Sequence, residues 1–335
     1  GGHLIERCDV FDTVLETHDH GSFNSWGRDR YWNRNHRGVS EPEVKKDPKL
    51  PYLDAMETTV IRDSRWRCDH GWDIDLDDGS SNYEIYNNLM LAGGLKFREG
   101  YGRKAYNNVL INNGLHPHVW FDESGDSFTG NIVMAAHAPV GQPAGWTKGI
   151  DKNLYAFEAD LQKNRTAGGD ANSLSGDPMF VNPAQGDFRV KDGSPAFQIG
   201  FRNFPMDQFG VKKPSLRGKA GSPVIPSLRQ AGDPVKNPLK TNQVKWLGAT
   251  LHSLQGEEFS AFGVSKEDGG VQFVKVLAES DAARAGLQDN DLVQLVNGIK
   301  VSNTDQFFAA LKKAEGTPIK LSVIRNQKPI QISLP

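Results

Sequence analysis

The residues best suited to chemistry are the carboxylates of Cys68-Asp-His-Gly-Trp-Asp-Ile-Asp-Leu-Asp-Asp-Gly-Ser-Ser-Asn82. From Asp73 the run alternates Asp, Ile, Asp, Leu, Asp, and a period of two is that of a strand with one buried face. Ile74 and Leu76 are expected to point inward, which gathers Asp73, Asp75 and Asp77 on one outward face. Like charges placed side by side destabilise a strand, so the arrangement implies a use. It fits carboxylate chemistry on a substrate, or a hard cation such as Ca2+ held by Asp73 to Asp78.

Partners for these acids lie one repeat further along the chain. Tyr86-Asn87-Asn88-Leu89 returns as Tyr106-Asn107-Asn108-Val109 after 20 residues, and Gly130-Asn131-Ile132 follows 23 after Asn108. Short apolar runs closed by turn residues accompany this period, which is the signature of a solenoid. A coil of three short strands uses about 20 residues, so a parallel β-helix is expected, with stacked Asn side chains satisfying one another as ladders do. No recurrent Leu-x-x-Leu-x-Leu supports a leucine-rich repeat; a β-sandwich is the fallback. With coils of this length Asp77 and Asp78 stack near Arg98 and Glu99, while Leu95 and Phe97 continue the column of Ile74 and Leu76. The next coil brings His116, His118, Trp120, Asp122 and Glu123 to the same edge. Strands about 4.7 to 4.9 Å apart hold carboxylates near the roughly 5 to 5.5 Å of a retaining glycosidase pair. Trp72, Asp78, Lys96, Arg98, His118, Trp120 and Glu123 would bind substrate, joined by His20, Trp26 and Arg28 from a loop dense in Trp, Tyr, Arg and His. Residues 40–52 form a proline-punctuated insertion expected to border the same cleft. A surface ion pair for Glu99 and ordinary loop histidines at 116 and 118 are the plainer alternatives. No second His pair with zinc-ligand spacing supports a metal.

Bulk properties narrow the classes. The chain has 335 residues, 41 acidic and 39 basic, for a formal charge of −2, which gives no field for nucleic acid or an anionic membrane. Two cysteines define neither a disulfide framework nor a zinc site. No apolar run reaches the roughly 18 residues of a membrane span, and the Gly-Gly-His start does not read as a signal peptide. Because strand-like residues begin at once, an upstream portion is expected.

The run Asp-Ile-Asp-Leu-Asp-Asp-Gly-Ser-Ser-Asn-Tyr, followed by Asn-Asn-Leu and Leu-Lys-Phe-Arg-Glu-Gly, resembles the right-handed parallel β-helix glycoside hydrolases, especially family 120, the retaining β-xylosidases, and is also similar to family 141. The resemblance covers roughly residues 1 to 205. It implies Asp77, with Asp75 the competitor, as nucleophile and Glu99 as acid/base. It also implies a carbohydrate substrate, no required cofactor, and a secreted or periplasmic location. Residues 176–200 resemble the close of such solenoids and are expected to cap the last coil.

The expected organisation is a β-helix over 1–204, a Pro/Lys-rich linker over 205–245, and a small α+β domain over 246–335. That last segment carries a hairpin signal at Val296-Asn297-Gly298-Ile299. A helix from about Asn303 to Ala314 follows, with Phe307, Phe308 and Leu311 on one face. It resembles a PDZ domain of the bacterial protease-associated type, which implies a peptide-carboxylate loop at Phe262, Gly263 and Val264. That loop departs from Gly-Leu-Gly-Phe, so a docking module without a free peptide ligand stays open. Two further readings remain: a calcium-dependent polysaccharide lyase using Lys96 or Arg98 as base, and a non-catalytic scaffold with a PDZ adaptor.

Overall fold

The computed structural model describes residues 1–17, 19–26, 41–142, 146–233, 243–326 and 328–334. The chain is mostly β and divides into a larger unit within residues 1–236 and a smaller one built mainly from residues after 236.

The larger unit is the expected parallel β-solenoid. Its coils are β1 (Leu4–Glu6), β2 (Asp9–Val10) and β3 (Gly21–Ser25); β4 (Thr59–Arg62), β5 (Arg65–Trp66) and β6 (Trp72–Leu76); β7 (Tyr83–Tyr86), β8 (Leu89–Met90) and β9 (Leu95–Phe97); β10 (Arg103–Tyr106), β11 (Val109–Leu110) and β12 (Leu115–Pro117). They continue as β13 (Ser127–Thr129), β14 (Ile132–Val133), β15 (Ile150–Asp151), β16 (Leu154–Tyr155) and β17 (Leu174–Ser175). Stacking produces sheet A (β1-β4-β7-β10-β13-β15), sheet B (β2-β5-β8-β11-β14-β16-β17) and sheet C (β3-β6-β9-β12). One inward column runs Ile61, Ile85, Ala105, Phe128, Ile150 and another Trp66, Met90, Leu110, Val133, Tyr155, all in a single buried core with Ile74, Leu76, Leu95 and Phe97.

The repeated Asn pairs build the bend from sheet A to sheet B. The first member takes the left-handed backbone region, with φ 54° at Asn87 and 55° at Asn107, and Asp63, Gly130 and Lys152 do the same at the equivalent bends. Asn tolerates this region better than other residues with a side chain. The second member forms the ladder. Asn88 Nδ2 donates to Asn108 Oδ1 (3.1 Å), Asn108 Nδ2 to Asn131 Oδ1 (3.0 Å) and Asn131 Nδ2 to Asn153 Oδ1 (3.2 Å). The same oxygens accept the backbone N–H one coil below, and Trp66 Nε1 joins at Asn88 Oδ1.

Two expectations are corrected. Residues 176–200 do not cap the end of the solenoid. The hairpin of β18 (Phe180–Asn182) and β19 (Asp187–Val190) packs Phe180, Phe188 and Val190, with Phe201, onto Leu89, Val109, Ile132 and Leu154, the outward residues of sheet B. The end of the core is met instead by the helix Glu158–Thr166, whose Leu161 joins the inner cluster. Nor are residues 205–233 a linker. Phe204, Met206, Phe209, Ile225 and Leu228 extend the same outer cluster. Gly210 N donates to Arg7 O (2.8 Å), Arg67 reaches Val224 O, and Arg229 N donates to Asn112 Oδ1 (2.8 Å). Sheet B is apolar on both faces, so a second layer must cover it, and the prolines that suggested a linker only keep that layer extended. In the insertion, the helix Glu41–Lys46 and a 3-10 turn at Leu50–Tyr52 place Val44 and Leu50 against Tyr101 and Phe121.

The smaller unit is an antiparallel sheet of β20 (Val244–Trp246), β21 (Ala249–Ser253), β22 (Val271–Val276), β23 (Asp291–Val296), β24 (Ile299–Lys300), β25 (Ile319–Arg325) and β26 (Lys328–Leu334). The Asn297-Gly298 turn has both residues at positive φ, as the hairpin signal requires. The helix Thr304–Lys313, capped by Asn303 Oδ1 on Gln306 N (2.9 Å), packs Phe307 on Phe273 and Trp246. No helix among the described residues is long and apolar enough to cross a membrane.

Candidate active site

Register in sheet C decides what meets what. Asp75 pairs with Lys96 and Leu76 with Phe97, while Lys96 pairs with His116 and Phe97 with Pro117. Beyond the strand ends Arg98 N donates to Leu76 O (2.8 Å), His118 N to Phe97 O (2.8 Å) and Gly79 N to Glu99 O (3.0 Å). Two polar rows therefore cross the outer face, Asn24-Asp75-Lys96-His116 and Asp77-Arg98-His118. The register also corrects one pairing: Glu99 lies level with Asp78, and Asp77 lies level with Arg98.

The acidic strand is not the crowded outward face that its alternation suggested, because every residue of β6 is buried. Asp73 N and Ile74 N both donate to Gly94 O (3.0 and 3.2 Å), which interrupts the alternation at the start of the strand. Asp73 turns into the corner, where its carboxylate accepts the backbone N–H of Cys68 (2.7 Å), Ala92 (3.1 Å) and Gly94 (3.1 Å). Burial pushes this carboxyl up to about 7 against those hydrogen bonds. Its work is to tie two coils together.

Asp75 and Asp77 face one ammonium. Lys96 Nζ lies 3.2 Å from Asp75 Oδ1, 3.6 Å from Asp77 Oδ1 and 3.7 Å from Asp19 Oδ1, and 4.0 Å from the centre of the Trp72 ring. Lys96 and Asp75 have fully buried side chains, Asp77 keeps 14% of its exposure and Asp19 52%. Sharing one nitrogen, at 3.2 and 3.6 Å, keeps the Asp75 and Asp77 oxygens within about 7 Å of each other. Burial raises the Asp75 pKa to about 7, with Lys96 opposing and Asp77 adding. For Lys96 burial works against the charge, but Asp75, Asp77 and Asp19 outweigh it and raise its pKa. Asn24 Nδ2 donates to Asp75 Oδ2 (3.0 Å). Gly21 backs this carboxylate, since a Cβ there would sit 2.8 Å from Asp75 Cβ. The position assigned to Ca2+ is filled by an ammonium among the carboxylates, so these residues do not fit the ion as they stand.

Arg98 pairs with Asp78 and lies 3.7 Å from Asp77 Oδ1. Glu99 is 1% exposed, at the turn where Arg103 donates to Arg98 O and clamps Asp126 (Nη2 to Oδ2 2.6 Å). His118 and His116 meet the Trp72 ring edge-on at 5.4 and 6.4 Å. The remaining expectations divide. Trp72 is buried with Lys96 over its ring, so it offers no sugar platform. Trp120 is a core residue, stacked on Phe97 at 5.9 Å with Nε1 donating to Lys148 O. His20, Trp26 and Glu123 are exposed, and Arg28 lies outside the described residues. Sequence reasoning missed Asp19 and Asn24 as contacts of the acidic site. The signal was Asp19-His20-Gly21 returning as Asp69-His70-Gly71, which marks two coils with similar edges.

In the smaller unit Phe262 and Val264 are buried, and Phe262 N and Val264 N donate to Glu258 O (2.9 Å) and Phe259 O (3.0 Å). Gly263, between them, has φ 63°. A peptide carboxylate arriving here would meet two N–H groups already bonded.

No family model matches the chain, and no curated protein matches it. Among solved structures it is similar over 27% of its length to "HtrA-type protease AlgWS227A with decapeptide" (23% identity, TM-score 0.23). It is similar over 26% to "HtrA-type protease AlgW with decapeptide" (24% identity, TM-score 0.22). In each case 27% of that chain is covered, so the match spans about a quarter of the neighbour.

Proposed function

We propose that the solenoid is a glycoside hydrolase that cleaves a polysaccharide or oligosaccharide by double displacement, with Asp77 as nucleophile and Glu99 as acid/base. The observation that carries this reading is the outer face of sheet C, where partly exposed Asp77 lies level with Arg98 of the neighbouring coil and Glu99 is the next residue of that coil. In the first step an Asp77 oxygen bonds to the anomeric carbon as the glycosidic C–O bond breaks, and Glu99 gives its proton to the leaving oxygen. In the second, Glu99 takes a proton from water, whose oxygen displaces Asp77 and releases the sugar. Arg98 and His118 share the row of Asp77 as buried neighbours. A polymeric substrate goes with a secreted or periplasmic enzyme.

The rival chemistries find less support. A lyase needs a neutral amine at Lys96, whose pKa is raised by three carboxylates. A calcium-clipped scaffold needs the ion where that ammonium sits. For the C-terminal domain the occupied Phe262 and Val264 amides favour a docking module over capture of a free peptide terminus. The test is a panel of aryl glycosides offered to wild type, Asp77→Asn and Glu99→Gln. Wild-type turnover and losses of about a thousandfold or more in both variants are expected. A wild type inert on the whole panel, or an unimpaired Glu99→Gln, overturns the assignment. Absorbance of an unsaturated uronate product would instead establish the lyase.

A further inference from the structure

The acidic strand offers two carboxylates of the same type, two residues apart, and the chemistry needs one. Their difference lies in Lys96. Its side chain is fully buried, and its ammonium has Asp75 on the sheet side at 3.2 Å, Asp77 at 3.6 Å and exposed Asp19 at 3.7 Å. Asp75 has no exposure and is further held by Asn24 Nδ2 at 3.0 Å, whereas Asp77 keeps a path to solvent and also lies 3.7 Å from Arg98. The centre of the Trp72 ring is 4.0 Å from the ammonium. His116 is level with Lys96 on β12 but bonds Asn113 Oδ1 at 2.7 Å, and Asp78 pairs with Arg98.

We propose that Lys96 is the positioning residue of this site, a buried ammonium anchored by Asp75 that aims Asp77 outward, so that of the two aspartates Asp75 is structural and Asp77 meets the substrate. This rests on the glycosidase reading for its catalytic half only; the clamp itself is a property of the resting protein. Burial of Asp75 and the raised pKa of Lys96 agree with that division.

Two measurements test it, and they fail separately. The first needs no activity. In protein labelled with 15N-lysine, a buried ammonium with three carboxylate partners exchanges its protons slowly and gives a resolved Nζ signal, absent in Lys96→Met. It should survive Asp19→Asn, which touches the exposed partner, and be lost or shifted into fast exchange in Asp75→Asn. Loss in Asp19→Asn with retention in Asp75→Asn overturns the anchor. The second uses an aryl glycoside turned over by wild type. Asp77→Asn should be rescued by azide, with formation of a glycosyl azide, and Asp75→Asn should not. Lys96→Met should lower kcat by about a hundredfold with KM little changed. A loss carried by KM instead of kcat, or azide rescue of Asp75→Asn, overturns the division of roles. Should Lys96→Met fail to fold, the Asp19→Asn and azide arms decide alone. An inert wild type with an intact Nζ signal refutes the glycosidase reading and leaves the clamp standing.

Discussion

Replacing Asn108 by alanine removes the middle rung of the ladder, and the cost can be counted from its bonds. Asn108 Nδ2 donates to Ile85 O (2.9 Å), Tyr106 O (3.1 Å) and Asn131 Oδ1 (3.0 Å), while its Oδ1 accepts Asn88 N (3.0 Å) and Asn88 Nδ2 (3.1 Å). In Asn108→Ala the Asn88 N–H and the Ile85 carbonyl are left without these partners in a site that water does not reach. At about 1 to 3 kcal/mol for each buried group left unsatisfied, with some relaxation, the variant should lose about 3 to 5 kcal/mol. Urea unfolding followed by far-UV circular dichroism reads the loss in the solenoid transition. Hydrogen exchange of a peptide spanning residues 86–91 reads it locally, where protection should fall by about a hundredfold or more. The exposed Leu216→Ala serves as control and should stay within about 0.5 kcal/mol of wild type. A loss below about 1 kcal/mol with unchanged protection would show that the ladder is decoration and that strand pairing alone sets the bend.

The other predictions concern the site and its cover. Burial raises the pKa of Asp73 and Asp75 to about 7, so the folded chain holds these protons more tightly than the unfolded one. Their contribution is therefore full below about pH 4 and is lost as pH rises through about 7, by up to about 1.4 kcal/mol per unit for each group. Melting temperatures from pH 4 to 8 should fall accordingly, less steeply in Asp75→Asn; a rise across that window contradicts the sign. Asp170 is the opposite case, held down at about 2, where hydrogen bonds from His137, Ser173 and Asn153 outweigh burial, so its stabilisation should vanish only as pH falls toward 2. Gly21→Ala places a Cβ 2.6 Å from Phe23 O and 2.8 Å from Asp75 Cβ, and should cost about 1 to 3 kcal/mol while lowering activity more than Leu216→Ala does. Unchanged turnover would detach Asp75 from the site.

The sequence carried the solenoid because its bends are written in residue types with few alternatives. Asn87 and Asn107 accept a left-handed backbone and Asn88 and Asn108 stack, and both demands recur in every coil. It carried the C-terminal hairpin and helix for the same reason, through Asn297-Gly298 and the Asn303 cap. The site was legible only in outline. Alternation placed Ile74 and Leu76 inward correctly, but one irregular pair of bonds to Gly94 O moved Asp73 into a corner and Trp72 to the outer face, and no local pattern announces such a bond. Trp120 was misread because an indole suits a sugar platform and a core equally. The extended segment after Pro205 was misread because its contacts are all distant: prolines and lysines describe a chain without helix or ladder, and only the outward Leu89, Val109 and Ile132 of the coils themselves reveal that something must lie on them.

That covering segment changes what kind of object the solenoid is. Stacked repeats ordinarily touch only their neighbours, so each end can fray or be cut without consequence for the other. Here Gly210 returns to Arg7 and Arg229 to Asn112, so that residues synthesised last close over coils made first. Folding of the first coils cannot be completed until residue 233 has been made, and the array gains a cooperativity that its repeats alone would not give it. A protein cut at residue 204 would lose Met206, Phe209, Ile225 and Leu228 from the cover of sheet B and should aggregate, whereas one cut after residue 233 keeps its clasp and stays in solution.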